Sequence, residues 1–477
     1  MSLLPEIKEL LKEYEIHPQK KFSQSFCVEE ALLKRMVTYV EPNKRDTILE
    51  IGSGFGFLTS YLSEIVKRVI AVEIDPKLLK ALRDRVGTNR SVEIVPGNIL
   101  KIQLPKFNKI VANPPYNISF QLTMRLFKIG FEKAVLTLQK EFAEKLIAKP
   151  GTKKYGPLTV FAKYVGSVKI LENLPKGSFY PQPEVESVII LINVCRPLFE
   201  VGNQDFFFEL VKKLFTQRNR NLKYPLETFL VNKMEINKLE IKKIIKQLPF
   251  INTRVCKMTP EEFGVVSNKI QLFLESKRIV FKNKVFYVFP EVYEPAEDTF
   301  LMAEILDVKK GETVLDVGTG CGILGILTAE KAQSVAAIDL NLFALKCTMF
   351  NADLNNVANK IDPVLGDLFA GYKGEKQFDL IIFNPPYLPT NQKTESGKLL
   401  EKAWNGGING REVINRFLTL IPERVEKKGK VIILQSSLSN PDETIKMFRK
   451  MGFAAEVIAE KKIFFEKLTV IQAARLD

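Results

Sequence analysis

The sequence predicts an α/β protein with two doubly wound sheets in tandem, the first followed by a small helical domain. The main observation is that one domain-sized plan occurs twice. In the first copy an apolar strand runs into glycines at Thr47-Ile-Leu-Glu-Ile-Gly52-Ser-Gly54-Phe-Gly56, and the second reads Thr313-Val-Leu-Asp-Val-Gly318-Thr-Gly320-Cys-Gly322. A second strand ends in an acid, Glu73 or Asp339, 21 residues past the first glycine in both copies. A third leads to Gly97-Asn98 and Gly366-Asp367, and a fourth to Asn113-Pro-Pro-Tyr116 and Asn384-Pro-Pro-Tyr387. Strands alternating with helical stretches imply right-handed βαβ units and a parallel sheet covered on both faces. Such sheets bind ligands at the carboxyl ends of their strands, where all four motifs fall.

Further strand signals follow over residues 157–195. Residues 204–275 then read as short helices that interleave basic and apolar residues, and Arg278 to Phe289 as two strands around a Lys-Asn-Lys turn. The expected domains are 1–200, 201–277 and 278–477.

Composition narrows the chemistry. The 477 residues contain one histidine, His17, which reads as positional, and five dispersed cysteines with no C-x-x-C pair. Neither a metal site nor a disulfide framework is expected. No apolar run is long enough to span a bilayer, and the charged N-terminus is unlike a secretory signal, so a cytoplasmic protein with no membrane partner is expected. The net charge of +15 is one-sided. Residues 278–477 hold 26 basic and 26 acidic residues, whereas the first 277 hold 44 and 29. A basic domain joined to a neutral one makes the first half a nucleic-acid candidate. Lys212, Lys213, Arg218 and Arg220 are its expected RNA contacts, against the plainer reading of a solvated face.

Both glycine turns are spaced G-x-G-x-G, tighter than the G-x-G-x-x-G of dinucleotide sites. An acid on the second strand suits ribose hydroxyls, and Asn98 or Asp367 could read an adenine amino group. An adenosine-bearing cofactor without phosphates is implied, and S-adenosylmethionine fits. The Asn-Pro-Pro-Tyr exits suit methylation of a planar nitrogen. Asn113 and the Pro114 carbonyl would accept its N–H groups, while Tyr116 supplies an aromatic face.

Residues 1 to about 275 resemble the small-subunit ribosomal RNA adenine dimethyltransferases. The resemblance is carried by Phe22-Ser-Gln-Ser-Phe-Cys-Val-Glu-Glu30, the Glu50–Thr59 glycine motif, Asn113–Tyr116, Phe179-Tyr-Pro-Gln-Pro-Glu-Val-Glu-Ser187 and Leu214-Phe-Thr-Gln-Arg-Asn-Arg220. It implies dimethylation of two adjacent adenosines near the 3′ end of small-subunit rRNA. Ser25, Cys27, Gly52, Glu73, Asn98 and Asn113 would hold the cofactor, and Tyr116 and Phe179 would sandwich the flipped base. Ser25, Cys27, Asn98 and Pro114 stand where relatives commonly have Asn, Leu, Asp and Leu.

Residues from about 290 onward resemble the HemK-like glutamine methyltransferases of the archaeal and eukaryotic type. This rests on Val292-Tyr-Glu-Pro-Ala-Glu-Asp-Thr-Phe300, Leu315–Gly322, Asn384-Pro-Pro-Tyr-Leu-Pro389 and Ala403-Trp-Asn-Gly-Gly-Ile-Asn-Gly-Arg411. By this resemblance Thr299, Asp316, Gly318, Asp339, Asp367 and Leu368 hold the cofactor. Asn384, with Pro385 and Tyr387, takes the glutamine amide of a class I peptide-release factor's Gly-Gly-Gln loop. A small zinc-binding activator subunit is an implied partner. Two alternatives stand beside this bifunctional reading: a first half that is mainly an RNA-binding assembly factor, and a second half that methylates nucleic-acid adenine.

Overall fold

The computed structural model describes residues 2–18, 24–195, 197–371, 377–390 and 400–476; Phe22 and Ser23 of the first motif lie outside them. The chain forms two compact units, each built on a seven-stranded sheet.

In the first unit the strands are β1 (Thr47–Ile51), β2 (Arg68–Glu73), β3 (Val92–Pro96), β4 (Lys109–Ala112), β5 (Lys133–Gln139), β6 (Gly166–Leu174) and β7 (Ser187–Val194). They lie in the order β3-β2-β1-β4-β5-β7-β6. Neighbours from β3 to β5 pair in parallel, and β7 runs antiparallel to both β5 and β6. The expected parallel sheet is therefore mixed. The cause is the connection from β6 to β7, which turns back without a crossover helix and so must reverse the chain. Central strands such as β4 are buried along their length, as an apolar run covered by helices on both faces should be.

The second unit opens with a hairpin, β8 (Lys277–Phe281) and β9 (Lys284–Val288). Its central residues Lys282 and Asn283 take φ of +46° and +61°, the left-handed pair that a two-residue hairpin turn demands. The sheet strands follow as β10 (Thr313–Val317), β11 (Ser334–Asp339), β12 (Ile361–Leu365), β13 (Phe378–Phe383), β14 (Val425–Ser436), β15 (Phe453–Lys462) and β16 (Lys467–Arg475). Their order, β12-β11-β10-β13-β14-β16-β15 with β16 reversed, repeats the first sheet strand for strand.

Helix starts place the acids of β2 and β11. Asp75 caps the helix Pro76–Val86 by accepting from the Lys77 N–H at 2.9 Å, and Asn341 caps Leu342–Leu354 through Phe343 at the same distance. Each cap stands two residues beyond its acid, which holds the acid at the strand's end.

Compactness divides the chain differently from a boundary at residue 277. Residues 231–249 and 269 onward belong to the second unit, and 250–268 to the first. The helix Lys238–Lys246 explains this. Its Glu240 is 4% exposed, pairs with the Arg278 guanidinium at 2.8 and 3.0 Å and accepts the Tyr287 hydroxyl at 2.6 Å. Its Lys243 donates to the Leu354 carbonyl at 2.7 Å, at the negative end of the helix Leu342–Leu354. Among the described residues no helix is long and apolar enough to cross a membrane.

Candidate active sites

Each glycine turn holds three left-handed glycines, at φ +73°, +55° and +79° for Gly52, Gly54 and Gly56, and +64°, +57° and +83° for Gly318, Gly320 and Gly322. A Cβ on Gly56 would stand 2.6 Å from Leu82, and one on Gly322 2.8 Å from Thr348, so the third glycine lets two helices meet.

The turn and the acid are bonded alike in both copies. Gly54 N–H donates to Glu73 Oε2 at 3.0 Å, while Ile74 and Asp75 donate to Oε1 at 2.7 and 2.9 Å. Gly320 N–H donates to Asp339 Oδ2 at 3.0 Å and Asn341 N–H to Oδ1 at 2.8 Å. Burial raises the pKa of both acids and these backbone bonds oppose it. A carboxylate accepts roughly four hydrogen bonds, so Glu73, with three backbone donors, keeps room for about one more, such as a ribose hydroxyl.

The acids face cavities of about 350 Å³ in the first unit and about 430 Å³ in the second, a size that takes a small cofactor. The first is lined by Ser25, Cys27, Gly52, Glu73, Asn98, Asn113, Pro114 and Tyr116, the second by Thr299, Gly318, Asp339, Asp367, Leu368, Asn384, Pro385 and Tyr387.

Two expected site residues stand outside these linings. Phe179 is 1% exposed and pairs with Cys27 in a short antiparallel ribbon, so its ring joins the core. Asp316 is 1% exposed beneath the glycine turn, where its Oδ2 accepts from Thr319 Oγ1 at 2.7 Å and Gly325 N–H at 3.0 Å. It supports the turn.

The two asparagines are held differently. Asn113 Nδ2 donates to the Ser25 carbonyl at 3.0 Å, and its Oδ1 accepts from Thr137 Oγ1. Asn384 Nδ2 donates to Asp298 Oδ2 and Thr299 Oγ1, both at 3.1 Å, while its Oδ1 is buried and has no hydrogen-bond partner among the described residues. Asp298 Oδ2 also accepts from the Tyr387 and Tyr293 hydroxyls at 3.2 and 3.3 Å. Burial, then the Asp298 charge, raises both phenols. In the first site Tyr116 instead meets Ser187 Oγ at 2.6 Å.

The residues that depart from the usual pattern have specific local roles. Ser25 Oγ donates to the Pro181 carbonyl at 2.6 Å, and burial pushes the Cys27 thiol up to about 12. Asn98 Oδ1 accepts from Leu100 N–H at 2.9 Å, which turns its amide nitrogen, a donor, to other partners. Asp367 is paired with Arg416 at 2.7 Å.

In the second site the loop from Trp404 to Gly410 lies against the Asn-Pro-Pro-Tyr exit. Gly406 N–H donates to Leu388 O at 2.9 Å, and a Cβ on Gly410 would stand 2.3 Å from the Tyr387 carbonyl. Asp298, Thr137 and Arg416 were not expected from sequence. Asp298 adjoins the expected Thr299, while Thr137 and Arg416 lie in no motif. Of the basic set, Arg218 donates to the Thr152 and Lys153 carbonyls at 3.1 and 3.0 Å and so braces a loop, whereas Lys212, Lys213 and Arg220 are exposed.

A Rossmann-like sheet with a glycine turn, a clamped acid and an Asn-Pro-Pro-Tyr exit, present twice, defines a tandem S-adenosylmethionine-dependent methyltransferase. Residues 17–262 match the ribosomal RNA adenine dimethylase family and 294–463 the methyltransferase small domain. The chain is 39% identical over 268 residues to a probable ribosomal RNA small subunit methyltransferase A of Methanosarcina mazei, covering 55% of this chain and 97% of that one. A Pyrococcus abyssi relative of the same description is 35% identical over 272 residues, 57% of this chain and 97% of its own. The chain belongs to the ribosomal RNA adenine dimethylase family and carries a second methyltransferase domain fused behind it. Among solved structures it is similar to a dimethyladenosine transferase from Plasmodium falciparum (26% identity, TM-score 0.45, 50% of this chain and 95% of that one). It is also similar to the E. cuniculi Mtq2–Trm112 complex (26%, 0.31, 39% and 99%), which is responsible for methylation of the eRF1 translation termination factor.

Proposed function

We propose that the first site dimethylates N6 of two adjacent adenosines near the 3′ end of small-subunit rRNA. The second methylates the glutamine amide of the Gly-Gly-Gln loop of a class I peptide-release factor. The observation that carries the second assignment is the orphaned Asn384 Oδ1. Asp298 and Thr299 take the amide nitrogen, so the group left for a substrate is an acceptor, and a buried acceptor without a donor is costly. A primary amide supplies the N–H it lacks; an adenine amine would as well, and the domain's balanced charge, 26 basic against 26 acidic residues, favours the amide of a protein.

S-adenosylmethionine, when bound, supplies the electrophilic methyl group. Glu73 and Asp339 would hold its ribose. Asn113 and Asn384 accept an N–H of the acceptor, and the Pro114 and Pro385 carbonyls take the other. These acceptors would orient the nitrogen's lone pair and favour its pyramidal form, so that catalysis comes from positioning and electrostatics and not from a strong base. Tyr116 offers the adenine a ring face, while Lys212, Lys213 and Arg220 meet RNA phosphates.

A small zinc-binding subunit is a fitting partner for the second domain. The sheet edge β12 leaves Leu365 56% exposed, beside Leu342 at 48% and Phe343 at 46%. The β8–β9 hairpin is engaged elsewhere: its Tyr287 N–H donates to Asn351 Oδ1 at 2.8 Å. β12 itself reads Ile361-Asp-Pro-Val-Leu365, and Pro363 removes one N–H from it, so the exposed apolar side chains are what such a partner would cover.

The test is methyl transfer from labelled S-adenosylmethionine to release factor, with its glutamine→alanine variant as control. Label in the wild-type factor alone supports the reading; equal label in both, or transfer by an Asn113→Ala variant to DNA or RNA adenine instead, overturns it.

A further inference from the structure

The turn joining β15 to β16 carries Phe464 and Phe465, which are 100% and 95% exposed. Its place in the fold is fixed by the reversed strand. β16 pairs antiparallel with β14, with Leu468 opposite Ser436, so the turn before β16 lies at the carboxyl edge of the sheet, where β13 releases Asn384. Lys467 N–H donates to Ser437 Oγ at 3.0 Å and ties the turn to the end of β14. Glu466, the last residue of the turn, lies near enough to Tyr387 for its charge to act on that phenol. The turn therefore borders the acceptor's entrance.

The first domain uses the same connection differently. Between β6 and β7 run twelve residues, 175–186, and their Phe179 folds inward to pair with Cys27. Between β15 and β16 run four, 463–466, too few to fold back. Their aromatic rings are left in solvent.

We propose that Phe464 and Phe465 anchor a folded protein acceptor, inserting into an apolar hollow on its surface while its target residue enters the Asn384 site. The two rings lie 6.4 Å apart, tilted by 41°, which offers no flat platform for stacked bases. Lys467 is paired with Glu460 at 2.7 Å, and although Lys461 and Lys462 precede the turn exposed, Glu460 and Glu466 flank it as well and the domain carries as many acids as bases, a mixed-charge rim that suits a protein surface better than a run of phosphates. Exposed aromatics beside a site are favoured protein-binding anchors. This inference rests on reading the second site as a protein methyltransferase.

The test compares the full-length protein with its F464A/F465A variant on two acceptors, intact class I release factor and a short peptide spanning its Gly-Gly-Gln sequence. For the intact factor KM should rise about ten-fold or more with kcat held, the size expected for removing an aromatic anchor, while the peptide's kinetics and RNA methylation stay unchanged. An F464L/F465L variant should recover part of the affinity. Unchanged KM for the intact factor overturns the proposal, as does an equal loss on the peptide, which would place the turn within the pocket itself. Wild-type protein that methylates neither acceptor, with or without the small zinc-binding subunit, overturns the underlying reading and the anchor together. A variant defect seen on a nucleic-acid acceptor alone also overturns it.

Discussion

Asn384 donates its amide nitrogen to the Asp298 carboxylate at 3.1 Å, whereas its counterpart Asn113 donates to a backbone carbonyl. The same motif on the same strand is thus oriented by a charge in one domain and by the main chain in the other. The carboxylate fixes which end of the amide faces the acceptor, because only the nitrogen can donate to it.

Asp298→Asn removes that bias, since the new amide can pair with either end of Asn384. The expected result is a kcat on release factor lower by roughly ten- to a hundred-fold, less than the roughly hundred- to thousand-fold for removing one transition-state hydrogen bond outright because the bond is only misoriented, with RNA methylation unchanged. Steady-state kinetics on both acceptors measure this, and an unaltered kcat would remove the orienting role.

The pH dependence of stability follows from two buried acids under the glycine turns. Burial lifts the Glu50 carboxyl to about 8, against a bond from Thr59 Oγ1 at 2.6 Å, and lifts Asp316 to about 7. In the unfolded chain such groups titrate near about 4. Between those values the folded protein holds protons that the unfolded chain releases, so stability falls as pH rises from about 4 through 7 to 8 and then levels. The E50Q/D316N variant cannot ionise at these positions. Calorimetry should show the wild-type melting temperature dropping more steeply than the variant's between about pH 5 and 9; parallel curves would contradict this.

Replacing Lys212, Lys213 and Arg220 with alanine should weaken RNA binding similarly across sequences. The slope of log affinity against log salt should flatten by about 0.7–0.9 for each phosphate that is no longer neutralised. Adding Arg218→Ala should instead lower thermal stability, because that side chain braces backbone carbonyls. A salt titration with an rRNA fragment separates the two effects, and an unchanged slope would move the RNA surface elsewhere.

The carboxyl-edge constellation is legible in the sequence because its parts are local patterns: glycine spacing, an acid at a strand's end and a proline-fixed exit. Repetition at the same spacing makes the architecture legible too. What escapes is what depends on tertiary placement. Asp298 stands next to Thr299 in the chain, yet its role comes from where the helix Glu297–Ile305 meets the end of β13. Phe179 reads as a site aromatic, but backbone pairing with Cys27 turns it into the core. The helix Lys238–Lys246 has the basic, amphipathic look of an RNA-facing segment, and one buried acid, Glu240, sets it within the second unit. Strand reversal is equally hidden, since β7 and β16 are apolar strands like the parallel strands of the same sheets, and nothing in their composition marks direction.

The central claim is that one chain carries two separate methyl-transfer sites, each organised by its own asparagine. The most direct measurement is labelled methyl transfer by the intact protein to small ribosomal subunits and to release factor, with Asn113→Ala and Asn384→Ala. Asn113→Ala should lose the RNA signal by about a hundred-fold or more and keep the protein signal, and Asn384→Ala should do the reverse. Loss of both signals in either variant, or retention of both, would contradict two independent sites.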